Sequence, residues 1–148
     1  MLPIALALPL ALVRPTVLCI GETLFDGLAS GIFLGGAPLN VACHLAEIGV
    51  GAQYASAVGR DRLGVEAIRR LESKGVDTAM IAQLDAPETG FVTATLDAAG
   101  DATYEFVTPA AWDCMEATPA IEAAAEAADA VVFGTLGSRA ASSRSAVR

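Results

Sequence analysis

The sequence is poor in the residues that build cross-links and metal centres. It has three cysteines, Cys19, Cys43 and Cys114, and one histidine, His44. Three well-separated thiols, an odd number, argue against a disulfide framework and for a reducing compartment. None of these residues has metal-site spacing. Cys19 falls in a strand pattern and Cys43 in a helix pattern, which suits small core residues. Positive charge is also scarce: 9 Lys and Arg face 17 Asp and Glu, for a net charge of −8. That balance argues against nucleic acid or an anionic membrane as a partner. There is no Gly-Lys-Ser/Thr phosphate loop, and Gly21 is not followed by the G-x-G-x-x-G spacing of a dinucleotide fold. The one long uncharged stretch, Met1 to Val13, falls short of the about 20 residues a membrane-crossing helix needs. It lacks the positive start of a secretory signal, and Ala5-Leu6-Ala7 comes too early for a cleavage site.

What remains is a chain of 148 residues, 54% hydrophobic and 18% charged, enough to build one core. Residues 1–15 read as an apolar N-terminal extension, and 16–148 as the folded part. Thr16 to Gly21 reads as a buried strand. A less regular strand is expected from Ala29 to Leu34. Pro38 to Ile48 carries Val41, Ala42, Leu45 and Ile48 at helical spacing, and Gly49 is a natural stop. Gln53 to Val58 is a second buried strand. Leu63 to Lys74 is a helix striped by Leu63, Ile68 and Leu71, with Glu66 and Arg70 as an i,i+4 pair. Val76 to Leu84 is a third strand. Strand–helix–strand–helix–strand predicts a parallel sheet with right-handed crossovers. Phe91 to Leu96 and Ala102 to Val107, around Asp97 to Asp101, predict an antiparallel hairpin. Thr118 and Pro119 open a further helix, and Ala130 to Thr135 is another buried strand.

The densest motif is Gly35-Gly36-Ala37-Pro38-Leu39-Asn40. Paired glycines let a backbone pass where a side chain would collide with a ligand. On that reading a side chain at Gly36 blocks the ligand and spares the fold. Pro38 suits a first helical turn, and Asn40 falls in the same turn, close to free N–H groups and the positive end of the dipole. Such a corner suits a small ligand rich in hydroxyls. Asp26, after a strand and loop, is expected near a carboxyl end of the sheet, where open α/β sheets bind ligands. Its carboxylate can accept from two hydroxyls. Trp112, the sole tryptophan, either packs on the ligand or belongs to the core. Arg60, Asp61 and Arg62 read as solvated loop charges.

Gly35-Gly36, Asn40, Gly49 and Gly59 at these distances resemble the first signature of the PfkB-type, or ribokinase-like, carbohydrate kinases. Val17 to Asp26 resembles the family's opening strand, and Val58-Gly59-Arg60-Asp61-Arg62-Leu63-Gly64 its V-G-x-D-x-x-G segment. Thr103-Tyr104-Glu105-Phe106 and Ala111-Trp112-Asp113 look most like the fructokinase branch. The resemblance implies a three-layer α/β sandwich with a mostly parallel sheet and a small β lid. It implies ATP-dependent phosphorylation of a sugar hydroxyl, with ATP and Mg2+ in use and a homodimer formed through the lid strands. It also implies a sugar cradle of Asp26, Gly35, Gly36 and Asn40, with Trp112 beside it, and a cytoplasmic setting, or an organelle if residues 1–13 belong to a targeting segment. A nucleoside kinase of the same superfamily, or a non-catalytic sugar-binding relative, are the other readings. The family's second motif, D-T-x-G-A-G-D, which holds the base and the anion hole, does not occur in these residues. The expectation is therefore the sugar-binding half of a kinase domain, truncated before its catalytic base and main nucleotide site.

Overall fold

The computed structural model describes residues 14–96 and 102–148. In chain order the elements are β1 (Thr16–Ile20), β2 (Leu24–Leu28), β3 (Gly31–Gly35), α1 (Ala37–Glu47), β4 (Gly51–Gly59), α2 (Arg62–Ser73), β5 (Asp77–Leu84), β6 (Gly90–Leu96), β7 (Ala102–Phe106), α3 (Pro119–Ala127), β8 (Ala130–Phe133) and α4 (Ala141–Val147). Single 3-10 turns at Ala111–Cys114 and Leu136–Ser138 complete them. The expected hairpin forms from β6 and β7, with Val92 opposite Phe106. Its Asp97 to Asp101 loop lies outside the described residues. Among the described residues no helix is long and apolar enough to cross a membrane.

The strands make two four-stranded sheets. One is parallel in the order β5-β4-β1-β8; the other runs β3-β2-β6-β7. Alternation along β1 explains the layers, since neighbouring side chains leave a strand on opposite faces. Val17 and Cys19 join a core with Leu39, Ala42 and Cys43 of α1 and Ala67 and Leu71 of α2. Leu18 and Ile20 join a second core with Ala111, Met115 and Ile121 on the other face. A parallel sheet covered on both sides needs this continuous apolar run. At its β8 edge Val131 and Phe133 stay exposed.

Three expectations change. The buried face of α1 is Leu39, Ala42 and Cys43, while Val41 and Ile48 face outward. Leu39, Ala42, Cys43 and Ala46 keep i, i+3, i+4, i+7 spacing, and the sheet takes that stripe. Asp26 sits inside β2, opposite Phe33 of β3, rather than in a loop after a strand. Asp61 is not a solvated loop charge. Its Oδ1 accepts the Gly64 N–H (2.8 Å) and caps α2, and its Oδ2 accepts the Thr89 N–H (2.8 Å) just before β6. Arg60 does stay in solvent, 3.1 Å from Asp85. His44 stands on the surface of α1 beside Glu47 (3.5 Å).

Between β1 and β2 the chain leaves one sheet and enters the other, so Gly21, Glu22 and Thr23 are buried without a ladder of their own. Side chains of β4 meet the buried carbonyls. Tyr54 donates to the Glu22 carbonyl at 2.6 Å, and Ser56 donates to the Gly21 carbonyl at 2.7 Å. Thr23 donates to the Ser56 hydroxyl at 2.8 Å.

Two outcomes follow. Tyr54→Phe keeps the packing and leaves the Glu22 carbonyl unmet, so denaturant unfolding should show a loss of about 1–3 kcal/mol. An unchanged midpoint would mean that the junction finds another donor. For Asp61, burial alone would push the carboxyl up, but hydrogen bonds from Thr89 and Gly64 overcome it and hold it below its ordinary value. The stability it gives is then complete above the unfolded carboxylate pKa of about 3.9 and is lost as pH falls through the lower folded value. Asp61→Ala should cost about 0.5–2 kcal/mol near neutral pH, the scale of a lost cap, and less in acid. A cost that does not change between the two conditions would remove the charge from this account.

Candidate functional site

A cavity of about 350 Å³ opens over the second sheet, at the start of α1. Glu22, Asp26 and Gly36 line one side, and Val92, Tyr104 and Phe106 of the hairpin line the other. Alternation along β2 places Asp26 here, because Phe25 is driven into the core on the opposite face. There Phe25 lies under the Arg70 guanidinium, 5.7 Å from the ring centroid. Burial pushes the Asp26 carboxyl above its ordinary value. It thus takes up a proton at higher pH than an exposed aspartate.

The paired glycines have a reason inside the chain. A Cβ on Gly35 would run into the Asp26 carboxylate. Gly36 has φ +128°, and a Cβ there would strike the Glu22 carbonyl. The expectation that a side chain at Gly36 would block a ligand and spare the fold is therefore corrected: it would strain the backbone first. Gly36 offers no side chain to cap α1, so the cap comes from afar. The Glu22 Oε1 accepts the Ala37 N–H at 2.9 Å, a carboxylate at the positive end of the helix.

Asp26, Gly35 and Gly36 are brought together as the sequence suggested. The Asn40 N–H donates to the Gly36 carbonyl at 2.9 Å, but its side chain lies apart from the cavity. It is exposed and lines a separate groove with Phe33, His44, Arg70 and Lys74. Trp112 is core, 1% exposed. The Arg139 guanidinium lies 4.0 Å from its ring centroid and 5.6 Å from that of Phe106. Arg139 is held by two hydrogen bonds to Asp113, at 2.8 and 2.6 Å. The tryptophan thus backs the hairpin wall instead of lining the cavity. Cys19 and Cys43 are buried, and burial pushes the Cys19 thiol up to about 11, so neither is a nucleophile near neutral pH.

Sequence reasoning missed Glu22 and the aromatic wall. A signal for Glu22 was present: an acidic residue directly after an apolar strand must either reach water or find a buried donor. Among the described residues, no Lys, Arg or His lines the cavity. Among the described residues, no group of three or more His, Cys, Asp or Glu is placed to hold a metal ion. The arrangement can accept hydrogen bonds from a small neutral ligand and cover its apolar side with aromatic rings.

No curated protein matches this chain. Solved structures do. An uncharacterized sugar kinase from Pyrococcus horikoshii is 28% identical, with a TM-score of 0.78 over 89% of this chain and 47% of its own. The same kinase in complex with ATP gives a TM-score of 0.77. A fructokinase from Xylella fastidiosa is 31% identical, with a TM-score of 0.59 over 65% of this chain and 33% of its own. The fructokinase of Halothermothrix orenii, at 19% identity, shares the fold with a TM-score of 0.78. The chain thus spans about half the length of the Pyrococcus kinase or less of these structures. The family model described as pfkB family carbohydrate kinase matches residues 18–147. With the cavity and nearly all of both sheets inside that match, the chain belongs to the pfkB family of carbohydrate kinases.

Proposed function

We propose that this chain binds the sugar acceptor of an ATP-dependent carbohydrate kinase, of fructokinase type. One observation carries the reading: Asp26, with room cleared by Gly35, presents a carboxylate to a cavity faced by Tyr104 and Phe106. A carboxylate accepts from two hydroxyls of one sugar, and its charge strengthens both bonds. Aromatic faces suit the apolar side of a sugar ring. The likeness to a fructokinase at 31% identity supports the choice of sugar.

Phosphoryl transfer needs a base, a nucleotide site and neutralised charge on the moving group. Among the described residues, no Lys, Arg or His lines the cavity to meet the phosphates of a nucleotide. Nor do the 148 residues contain a D-T-x-G-A-G-D segment. Our assignment to this chain therefore ends at acceptor binding.

Titration calorimetry tests the binding. Asp26→Ala should weaken fructose binding by about 1–3 kcal/mol, the scale of a lost charged hydrogen bond. Ribose and adenosine, run alongside, separate a sugar site from a nucleoside site. Because the Asp26 carboxyl is raised, fructose affinity should fall as pH drops through that raised value, and Asp26→Asn should flatten the profile. An unchanged dissociation constant in Asp26→Ala removes Asp26 from the site.

A second outcome concerns catalysis. The 148-residue chain should release no ADP from ATP in response to fructose, since a positioned base alone contributes about 10²–10⁴-fold in rate. Fructose-dependent turnover in a coupled assay would show that these residues supply a base after all.

A further inference from the structure

Glu22 is 2% exposed, and its Oε1 is occupied by the Ala37 N–H. Its Oε2 is buried and has no hydrogen-bond partner, the one side-chain atom in that condition among the described residues. A buried acceptor left unmet destabilises a fold, so an orphan of this kind at a cavity wall calls for a donor from outside the chain. Two glycines and the Pro38 ring close around it. A Cβ on Gly134 would stand 3.0 Å from Oε2, and one on Gly137 3.2 Å. Leu136, between those glycines, lines the same cavity as Glu22 and Asp26.

The missing donor has a definable chemistry. Glu22 and Asp26 line one space, with no cationic side chain among the described residues lining it to offset them. A carboxylate or phosphate on the ligand would meet like charge at close range. A neutral molecule carrying several hydroxyls meets two acceptors instead.

We propose that Glu22 is a second acceptor for the bound sugar, its Oε2 taking a hydroxyl other than those held by Asp26, and that the pair restricts the site to neutral polyhydroxyl sugars. The inference rests on the sugar reading of the cavity and deepens it. Glu22 also holds the start of α1 through Oε1, a duty that Gln can keep.

The test uses the 148-residue chain as wild type, Glu22→Gln and Asp26→Asn, with melting followed by circular dichroism. Calorimetry is run with fructose, its monodeoxy analogues, fructose 6-phosphate and gluconate. Glu22→Gln should raise the fructose Kd by about tenfold or more, the scale of a lost charged hydrogen bond. For one monodeoxy analogue the variant and wild type should bind alike, because that analogue lacks the hydroxyl Glu22 takes. Wild type should reject fructose 6-phosphate and gluconate, and Glu22→Gln should narrow that discrimination. An unchanged fructose Kd, or an equal loss for every analogue with discrimination intact, overturns the role of Glu22 and leaves Asp26 standing. An unaffected Asp26→Asn beside a weakened Glu22→Gln overturns the Asp26 reading alone. A wild-type chain that binds none of the sugars overturns both.

Discussion

The buried passage from Gly21 to Thr23 is the constraint on which the rest of the molecule hangs. Here the chain crosses from the parallel sheet into the second sheet, and its peptide groups lose their ladder while still inside. Buried carbonyls must be met, or the crossing fails. Tyr54 and Ser56 meet them from β4, the strand next to β1, so the junction is fixed to the parallel sheet. The direction of β2 follows, and with it the side to which Asp26 points. The Glu22 carbonyl held by Tyr54 is also the atom that forbids a side chain at Gly36. One anchored crossing thus sets both carboxylates and the start of α1.

Two further links fasten the second sheet to the first. Asp61 caps α2 and binds Thr89 through its N–H and hydroxyl, while the Thr89 hydroxyl also accepts the Gly59 N–H at 2.9 Å. The end of β4, the start of α2 and the start of β6 are therefore tied together. On the far side Arg139 lies between Trp112 and Phe106, and Asp113 fixes it. Arg139 is partly buried and Asp113 nearly wholly so, so each charge depends on its partner. Cation–π contact with Phe106 adds to the ladder that holds the hairpin wall of the cavity. The V-G-x-D-x-x-G segment and the Trp112-Asp113 pair thus serve the geometry of the cavity without entering it.

Much of the framework was legible because it rests on local pattern. Apolar runs closed by glycine located β1 and β4, helical spacing located α1 and α2, and Thr118 with Pro119 located the start of α3. The likeness carried by Gly35-Gly36 and Asn40 named the family that the match over residues 18–147 confirms. These signals live within a few residues of one another, where backbone preference and amphipathic period act.

Other features depend on residues far apart in the chain, and no local rule reaches them. The sequence could not tell which stripe of α1 the sheet would take, since Val41 and Ile48 are as apolar as Leu39. It could not separate Trp112 as core from Trp112 as ligand platform, because Arg139, which covers the ring, lies in another part of the chain. Asn40 and Asp26 share a motif neighbourhood yet line different spaces. Periodicity located most of the strands and helices, and the motif resemblance named the family. Tertiary structure decided which carboxylates share a cavity, because burial and hydrogen-bond satisfaction are settled between elements rather than within them.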